Sequence, residues 1–353
     1  DESAFYCAAG SYALTDEAFW ANMCTHISAM VQRSWNHPAL CIWSTENEIL
    51  HCGGSRTPGT DAQIYKLGQL ISQLDPTRPV EYEGDGDVVG RAATVNIHYP
   101  REFGCHDHNL WPNDSWWLGK EGNDRWPQDL VWKKDKPLIL GEFCYYPYSR
   151  PPGGVSIFVG DSAYRSKETE RAAHVMGVRF VCEGARWAGV AGLNPWVGDA
   201  VYGQRCLPPV AVLLREWDRQ FWAGETVTRT LLVLNDTLET RPLELRVEIL
   251  DAPAGAFSWS APVTLDPGGR WESPLAVTMP QQPGRYRLVA RLLQEGKELY
   301  AEERPIVVAS RQSLTLPQGL RVGLYDPAGR SKAALANPSI LRLNIAALIS
   351  GCV

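Results

Sequence analysis

Short apolar runs alternate with segments of helical periodicity throughout residues 1–206, and this alternation constrains the fold more than any other feature. Apolar runs that are too short for helices and that suit buried strands occupy residues 39–43, 137–140 and 189–193, and two further short strands are predicted at 80–83 and 93–99. Helical spacing of apolar residues predicts helices from Thr15 to Trp35, from Thr60 to Leu74 and over residues 162–184. Strands that alternate with helices are typical of a parallel α/β sheet.

The five predicted strands fit a (β/α)₈ TIM barrel that lacks its first strands. A closed barrel of this kind has eight parallel strands, each followed by a helix. We therefore expect the other three strands to precede Asp1. A five-stranded sheet leaves an open edge and an uncovered core. For that reason we expect poor solubility or no activity from these 353 residues alone.

The sequence pattern changes after Cys206, where helical periodicity disappears. Short β segments separated by turn-forming residues lie at 226–234, 243–249 and 285–292. This pattern predicts an all-β immunoglobulin-like sandwich over residues 207–309, following the partial barrel of residues 1–206. A strand at 320–325 and an Ala-rich segment after it predict the start of a third α/β domain in residues 310–353.

Charge and cysteine content narrow the classes of partner. A net charge of −6, with 21% charged residues, argues against nucleic acid or an anionic membrane as the main partner. No apolar run is long enough to span a bilayer. The nine scattered cysteines contain no CxxC pair and predict mostly buried thiols, which leaves the compartment and the oligomeric state open. The cramped Cys105–His108 cluster predicts a surface loop rather than a metal site.

Two carboxylates follow predicted buried strands directly. Glu48 comes after the strand at 39–43, and Glu142 comes after the strand at 137–140. The C-terminal ends of barrel strands meet at one rim, where the active sites of such barrels lie. Two rim carboxylates suit glycoside hydrolysis, in which one attacks the anomeric carbon while the other protonates the leaving oxygen and then activates water. A separation of about 5–5.5 Å would retain the anomeric configuration.

Polar and aromatic residues at the neighbouring strand ends are candidates for substrate binding. Asn47, beside Glu48, can hold a sugar hydroxyl, and His98 or Tyr99 can orient the nucleophile. Trp196, at the end of the last predicted strand, can form the floor of a sugar subsite. The alternative reading is structural: His98 and Tyr99 are then satisfied polar groups at a strand end, and Glu48 is a solvated loop acid.

Motifs around both carboxylates resemble glycoside hydrolase family 2, the family of β-galactosidases, β-glucuronidases and β-mannosidases. Residues 36–48, from Asn-His-Pro to Asn-Glu, are similar to the acid/base motif of that family. Residues 136–142, Lys-Pro-Leu-Ile-Leu-Gly-Glu, are similar to its nucleophile strand. Asp-Pro-Thr-Arg-Pro at 75–79 resembles its link into the next strand, and Asp1-Glu2 fits the acidic pair that ends its third barrel strand.

This resemblance implies a retaining β-glycoside hydrolase, β-galactosidase-like, that cleaves terminal sugars. Glu48 would be the acid/base and Glu142 the nucleophile. The residues that the resemblance places around a carbohydrate substrate are Asn47, His98, Tyr99 and Trp196. It also implies a sandwich domain after the barrel, in agreement with the pattern of residues 207–309.

The chain departs from the family pattern in two places. Thr45-Glu46 stands where the family commonly has Leu-Gly, and the added negative charge near Glu48 bears on substrate preference. The Asn-x-Lys motif by which family glucuronidases bind a carboxylate is not evident after Glu142, which ranks a glucuronidase low. The two-carboxylate mechanism requires no cofactor, and no residue of the chain is assigned to a metal site, although some relatives in the family use metal ions. The alternative from another class is a non-catalytic carbohydrate-binding or interaction protein that keeps the barrel fold.

Overall fold

A computed structural model describes residues 1–99, 132–143, 165–196 and 206–310. The chain divides into two compact units, Asp1–Pro208 and Pro209–Val353. The strand predicted at 320–325, nearly all of the predicted third domain and the Cys105–His108 cluster lie outside the described residues. Within the described ranges, no helix is both long and apolar enough to cross a membrane.

The first unit alternates helices and strands in the predicted order. Its elements are α1 (Glu17–Ser34), β1 (Trp43–Asn47), α2 (Thr60–Leu74), β2 (Val80–Glu83), β3 (Asp85–Gly86), β4 (Val95–His98), β5 (Leu138–Phe143), α3 (Lys167–Ala188) and β6 (Gly192–Pro195), with short 3₁₀ turns at Ala9–Ser11, Gly54–Arg56 and Val88–Gly90. Because α2 and β2 begin and end as predicted, local periodicity was sufficient for these two elements.

Local capping explains where the other two helices begin. The side chain of Asp16, rather than the predicted Thr15, caps α1 by accepting a hydrogen bond from a first-turn backbone N–H. Ser166 and Thr169 form a reciprocal capping box, so α3 begins later than predicted. Gly189 ends α3 in the left-handed conformation, with φ of 81°.

The strands of the first unit are parallel, apart from the two-residue β3. β1 pairs with β2, and a second sheet has the order β3-β4-β5-β6, in which β3 alone is antiparallel. Glu2 forms a further parallel bridge to Ser44 of β1. Neighbours in sequence are thus neighbours in the sheets, and a helix lies between β1 and β2 and between β5 and β6. This arrangement brings the C-terminal ends of successive strands to the same edge.

The predicted position of the first strand is wrong. Residues 39–42 precede β1, which begins at Trp43, and Ala39 and Cys41 are exposed. The buried strand carries Ser44, Thr45 and Glu46 instead of aliphatic residues. Glu142 likewise lies inside β5 rather than after it. Apolar runs mislead here because the interior of this unit includes a polar cluster, described below, that buries charged side chains.

Asp75 connects the end of α2 to β1. Its carboxylate accepts a hydrogen bond from the indole of Trp43 at 2.9 Å and from the guanidinium of Arg78 at 2.6 Å. Arg78 also donates to the carbonyl of Leu40 at 2.8 Å. Hydrogen bonds from Thr77 and the other donors hold the pKa of Asp75 below its usual range. The Asp-Pro-Thr-Arg-Pro motif is therefore a structural clamp that sets the entry to β2.

Two apolar clusters lie around these strands. One joins both N-terminal helices to β1 and β2 through residues that include Ile27, Met30, Trp43, Ile64, Ile71 and Tyr82. The other joins β4 and β5 to α3 through residues that include Val95, Ile97, Leu138, Leu140, Val178 and Ala185. Burial of these faces supplies the main stabilisation of the unit, since each fully buried aliphatic side chain contributes about 1.5–3 kcal/mol.

The prediction that most cysteines are buried thiols is wrong for the residues described. Cys7, Cys24, Cys41 and Cys52 are exposed, and the buried ones are Cys182 and Cys206. All six are free thiols. The apolar run at 39–43 predicts that Cys41 lies in a buried strand, but β1 begins at Trp43, so Cys41 lies outside it.

The second unit consists of two sheets over one core, and their strands are antiparallel except for β8. Its strands are β7 (Val210–Leu214), β8 (Gln220–Trp222), β9 (Thr226–Asn235), β10 (Arg241–Leu250), β11 (Ser258–Leu265), β12 (Arg270–Thr278), β13 (Gly284–Gln294) and β14 (Lys297–Ala309). The sheet orders are β12-β9-β7 and β11-β10-β13-β14-β8, with β8 pairing in parallel. Alternate residues of both sheets face a shared apolar core, including Val233, Leu245, Val247 and Leu288. The three predicted β segments are confirmed as parts of β9, β10 and β13.

Candidate active site

The structure brings Glu48 and Glu142 together. A carboxylate oxygen of each and a ring nitrogen of His98 all lie within 4.8 Å of one another. Glu142 comes from β5, and Glu48 directly follows β1 in a left-handed conformation with φ of 56°. The backbone N–H of Glu48 donates to the carbonyl of Glu83 at 2.8 Å, which fixes this unusual turn against β2.

Both oxygens of the Glu142 carboxylate accept hydrogen bonds from neutral donors. The side-chain amide of Asn47 donates to Oε1 at 3.2 Å, and the hydroxyl of Tyr99 donates to Oε2 in a short contact. The backbone N–H of Tyr99 also donates to the carbonyl of Glu142 at 2.7 Å. Asn47 and Tyr99, both predicted to bind substrate, are thus hydrogen-bonded to a predicted catalytic residue.

His98 lies between two carboxylates and is 1% exposed. Its Nδ1 is 2.7 Å from Glu48 Oε1, and its Nε2 is 3.0 Å from Glu83 Oε1. Burial lowers the pKa of His98, but hydrogen bonds to Glu48 and Glu83 outweigh it and raise the pKa to about 9. At neutral pH the ring is therefore an imidazolium, and both of its N–H groups donate. Nδ1 is also 3.8 Å from Glu142 Oε2, so the ring lies near the carboxyl groups of three glutamates.

Two further carboxylates of β2 were missed by sequence reasoning. Glu81 and Glu83 are each 6% exposed, and Asn96 of β4 donates through one nitrogen to Glu81 at 2.9 Å and to Glu83 at 2.6 Å. Burial and the charge of Glu83 raise the pKa of Glu81 to about 8. The signal was present as strand alternation: Glu81 and Glu83 share one face, while Tyr82 between them packs in the apolar cluster.

Glu2 adds another acidic group beside this cluster. Burial and the negative charges of Glu83 and Glu142 raise its pKa to about 7. Its backbone pairs with Ser44 of β1, so it occupies the next strand position in the sheet. The Asp1-Glu2 pair that the sequence placed at a strand end is therefore next to the candidate site.

Glu46 and Asp85 hold the turn that follows Glu48. The fully buried Glu46 accepts a hydrogen bond from the backbone N–H of Ile49 at 3.0 Å. Asp85 accepts from the backbone N–H groups of Leu50 at 2.7 Å and His51 at 3.1 Å. Burial, with the nearby charge of Asp85, raises the pKa of Glu46 well above its usual value. Glu46, which departs from the family pattern, therefore has a structural role, because it holds the turn that carries Glu48.

Gly141 lets β5 approach the polar cluster. A Cβ atom at this position would lie 2.1 Å from Glu83 Oε1, 2.3 Å from Asn96 Oδ1 and 2.7 Å from His98 Nε2. All three distances are shorter than a carbon atom tolerates, so a side chain here would displace buried polar groups. Position 141 therefore requires glycine, because buried polar side chains occupy the space that a Cβ atom would need.

Trp196 is the most exposed of the predicted substrate-binding residues. It follows β6, its side chain is 45% exposed, and its backbone N–H donates to the carbonyl of Phe143 at 2.8 Å. An exposed indole at a strand end remains suited to stacking on a sugar ring. Its predicted role as a subsite floor stays a prediction.

The oxygens of Glu48 and Glu142 and the ring of His98 are close enough to share a cation. However, both ring nitrogens of His98 are already hydrogen-bonded to glutamates, Nδ1 to Glu48 at 2.7 Å and Nε2 to Glu83 at 3.0 Å, which leaves the ring no lone pair for a cation. These three side chains therefore form a hydrogen-bonded network rather than a set of metal ligands.

Comparison with known proteins identifies the relationship of the first unit. Residues 6–156 match the family described as "Glycosyl hydrolases family 2, TIM barrel domain". A β-galactosidase of Pectobacterium atrosepticum is 32% identical over 133 residues, which is 37% of this chain and 11% of that protein. A β-galactosidase of Leuconostoc mesenteroides is 28% identical over 139 residues, which is 38% of this chain and 11% of that protein. The chain is related to glycoside hydrolase family 2.

The family relationship confirms the resemblance seen in the motifs and supports a TIM barrel domain in the first unit. Glu48, His98, Tyr99 and Glu142 all lie inside the matched residues, whereas Trp196 lies outside them. The aligned stretch spans only 11% of the length of either β-galactosidase. Among solved structures, the CARDB domain of a Pyrococcus furiosus protein is 17% identical, with a TM-score of 0.24. The match covers 29% of this chain and 93% of the CARDB chain.

Proposed function

We propose that this chain carries the catalytic carboxylates of a retaining β-glycoside hydrolase, β-galactosidase-like in its sugar preference. The observation that carries the proposal is the placement of Glu48 and Glu142, whose carboxylate oxygens lie within 4.8 Å of each other. This upper bound on the distance between one oxygen of each carboxylate fits the about 5–5.5 Å of retaining enzymes and is below the about 6.5–9.5 Å that inverting enzymes need for a water. The family relationship and the names of the two relatives support the same reaction class.

Glu142 is the nucleophile in this proposal. Hydrogen bonds from Asn47 and Tyr99 fix both of its oxygens, so the carboxylate is held in one orientation before substrate arrives. One oxygen attacks the anomeric carbon, and the bond from that carbon to the leaving oxygen breaks. The product is a glycosyl ester of Glu142, which is the covalent intermediate of a retaining mechanism.

Glu48 handles the proton in both steps. It gives a proton to the leaving oxygen in the first step and takes one from the water that opens the glycosyl ester in the second. The imidazolium of His98, 2.7 Å away, stabilises the Glu48 carboxylate that exists between the two steps. The cation remains in place because Glu83 holds its other nitrogen. These steps use only residues of the chain and a water molecule.

The two carboxylates are distinguished by the dependence of turnover on the leaving group. In the full-length protein, Glu48→Gln should lower turnover of an alkyl β-galactoside by about 10²–10⁴-fold, the range for general acid catalysis. It should affect a dinitrophenyl β-galactoside much less, because that leaving group departs without protonation. Glu142→Gln should abolish turnover of both substrates. Initial product analysed by NMR should be the β-anomer.

Glu17→Gln is the matched control, since Glu17 is an exposed glutamate of α1. It should leave both substrates unaffected. Normal turnover of the alkyl β-galactoside in Glu48→Gln, normal turnover of either substrate in Glu142→Gln, or an α-anomer as the first product, would contradict the proposal. Absence of turnover in the wild type with a panel of aryl β-glycosides would instead favour the non-catalytic carbohydrate-binding alternative.

We also propose that the second unit is an immunoglobulin-like sandwich. Its two sheets, packed over one apolar core, support this assignment.

A further inference from the structure

Two exposed cysteines converge on Glu48. The thiol of Cys52 lies 3.9 Å from Glu48 Oε2. The sulfur atoms of Cys7 and Cys52 and an oxygen of Glu48 all lie within 4.8 Å of one another. Both cysteines are free and exposed to solvent. The sequence separates Cys7 from the other two residues by more than a whole helix, so this grouping is a product of the fold.

The backbone holds these residues in place. The N–H of Asn47 donates to the carbonyl of Phe5 at 2.9 Å, which ties the segment before Cys7 to β1. Phe5 itself is 1% exposed and packs in the apolar cluster of the N-terminal helices. The N–H of Cys52 donates to the carbonyl of Glu48 at 2.8 Å. The three donor atoms are therefore mounted on fixed backbone rather than on independent loops.

Two sulfur atoms and one carboxylate oxygen form a donor set for a borderline-soft divalent cation. Zn²⁺ binds cysteine sulfur at about 2.3 Å and carboxylate oxygen at about 2.0–2.2 Å in tetrahedral geometry. Donor atoms within 4.8 Å of one another can surround such an ion with small side-chain movements. We propose that Cys7, Cys52 and Glu48 form a binding site for Zn²⁺ or Cd²⁺, and that occupancy of this site blocks the acid/base.

The inhibitory half of this inference rests on the proposed function. Glu48 Oε1 is already paired with His98, so Oε2 is the oxygen available to carry the transferred proton. The same Oε2 faces the thiol of Cys52. A cation bound there would take the position of the proton and keep Glu48 from protonating the leaving oxygen.

Metal binding is measured first, independently of any activity. The full-length protein, kept reduced with a phosphine, is titrated with Cd²⁺ to follow the ultraviolet cadmium–thiolate band and with Zn²⁺ against a chromophoric chelator. Cys7→Ser, Cys52→Ser and Glu48→Gln should each lower affinity by more than about tenfold, because even outer-sphere partners of a metal are worth 10–100-fold. Cys24→Ser, which removes an exposed thiol of α1, is the matched control and should bind as the wild type does. Equal affinity in the wild type and in a Cys7→Ser/Cys52→Ser double variant would overturn the site.

Inhibition is measured second, as the ratio of turnover with and without Zn²⁺ for each variant. Zn²⁺ should inhibit the wild type and Cys24→Ser, a chelator should reverse the inhibition, and Cys7→Ser and Cys52→Ser should be at least about tenfold less sensitive. Binding that needs both cysteines but leaves turnover unchanged would overturn the inhibitory role. If the protein turns over no glycoside at all, the proposed function has failed, while the binding titration still decides whether the metal site exists.

Discussion

Replacing Glu83 by glutamine tests the charge network that holds His98 beside the acid/base. The substitution keeps the size of the side chain and removes the negative charge 3.0 Å from His98 Nε2. His98 is 1% exposed, so water cannot replace the lost interaction. Glu83 itself makes no contact with the leaving oxygen in the proposed mechanism and acts on Glu48 through His98.

The magnitude follows from the pKa of His98, which is about 9 against an ordinary value of 6.5. Because a difference of one pKa unit corresponds to about 1.4 kcal/mol, the folded site stabilises the imidazolium by about 3 kcal/mol relative to the unfolded chain. Because the pKa is raised on folding, this stabilisation is fully present below pH 6.5 and is lost as the pH rises through about 9. Glu83 is one of two hydrogen-bonding carboxylates, so its loss should lower the pKa of His98 by more than about one, or about 1.4 kcal/mol.

Histidine side-chain NMR of the full-length protein measures this pKa directly. His98 should titrate near pH 9 in the wild type and markedly lower in Glu83→Gln, while Glu17→Gln should match the wild type. In addition, the unfolding midpoint of the wild type should fall more between pH 6.5 and pH 9.5 than that of His98→Gln. A pKa near 6.5 in the wild type, or the same value in the wild type and Glu83→Gln, would refute the proposed charge network.

Two further substitutions test packing in each unit by the shift of urea unfolding midpoints. Gly141→Ala places a Cβ 2.1 Å from Glu83 Oε1 and should lower the free energy of unfolding by about 1–3 kcal/mol. Gly10→Ala is the control and should be nearly neutral, because a Cβ at Gly10 has nothing within 4 Å. Equal effects of the two substitutions would contradict the close approach at Gly141. Asn235→Ala removes five hydrogen bonds from a fully buried side chain, three of them to backbone carbonyls, and should destabilise by about 3 kcal/mol, because buried acceptors are left unpaired. Thr278→Ala, at an exposed threonine pair, should stay within about 0.5 kcal/mol, and a comparable loss in both would count against the buried network.

Local patterns in the chain were sufficient for the order of elements and for the two candidate carboxylates. Helical spacing located α2 to the residue, because this helix buries an apolar face, and the position of β2 was also predicted, although its second face buries Glu81 and Glu83. Glu48 and Glu142 were found because each stands where a buried parallel strand ends or is about to end. The family resemblance was available for the same reason, since its motifs are short and continuous in sequence.

The position of β1 could not be read from apolar content. The strand buries Ser44, Thr45 and Glu46, and partners from other segments or from the following turn make the burial of Ser44 and Glu46 tolerable. Ser44 pairs with residues at the start of the chain, and Glu46 accepts from the turn after Glu48. A composition rule that expects aliphatic residues in buried strands therefore places β1 four residues too early.

The polar cluster and the cysteine grouping depend on distances between segments far apart in sequence. Glu83 reaches His98 because β2 lies beside β4, and Cys7 reaches Glu48 because the N-terminal segment pairs with β1. Hydrogen bonds and ion pairs act over a few ångströms, so their partners are set by strand neighbourhood and register, which no local window contains. The chain thus reveals which residues carry chemistry, and the packing of its strands determines which of them act together.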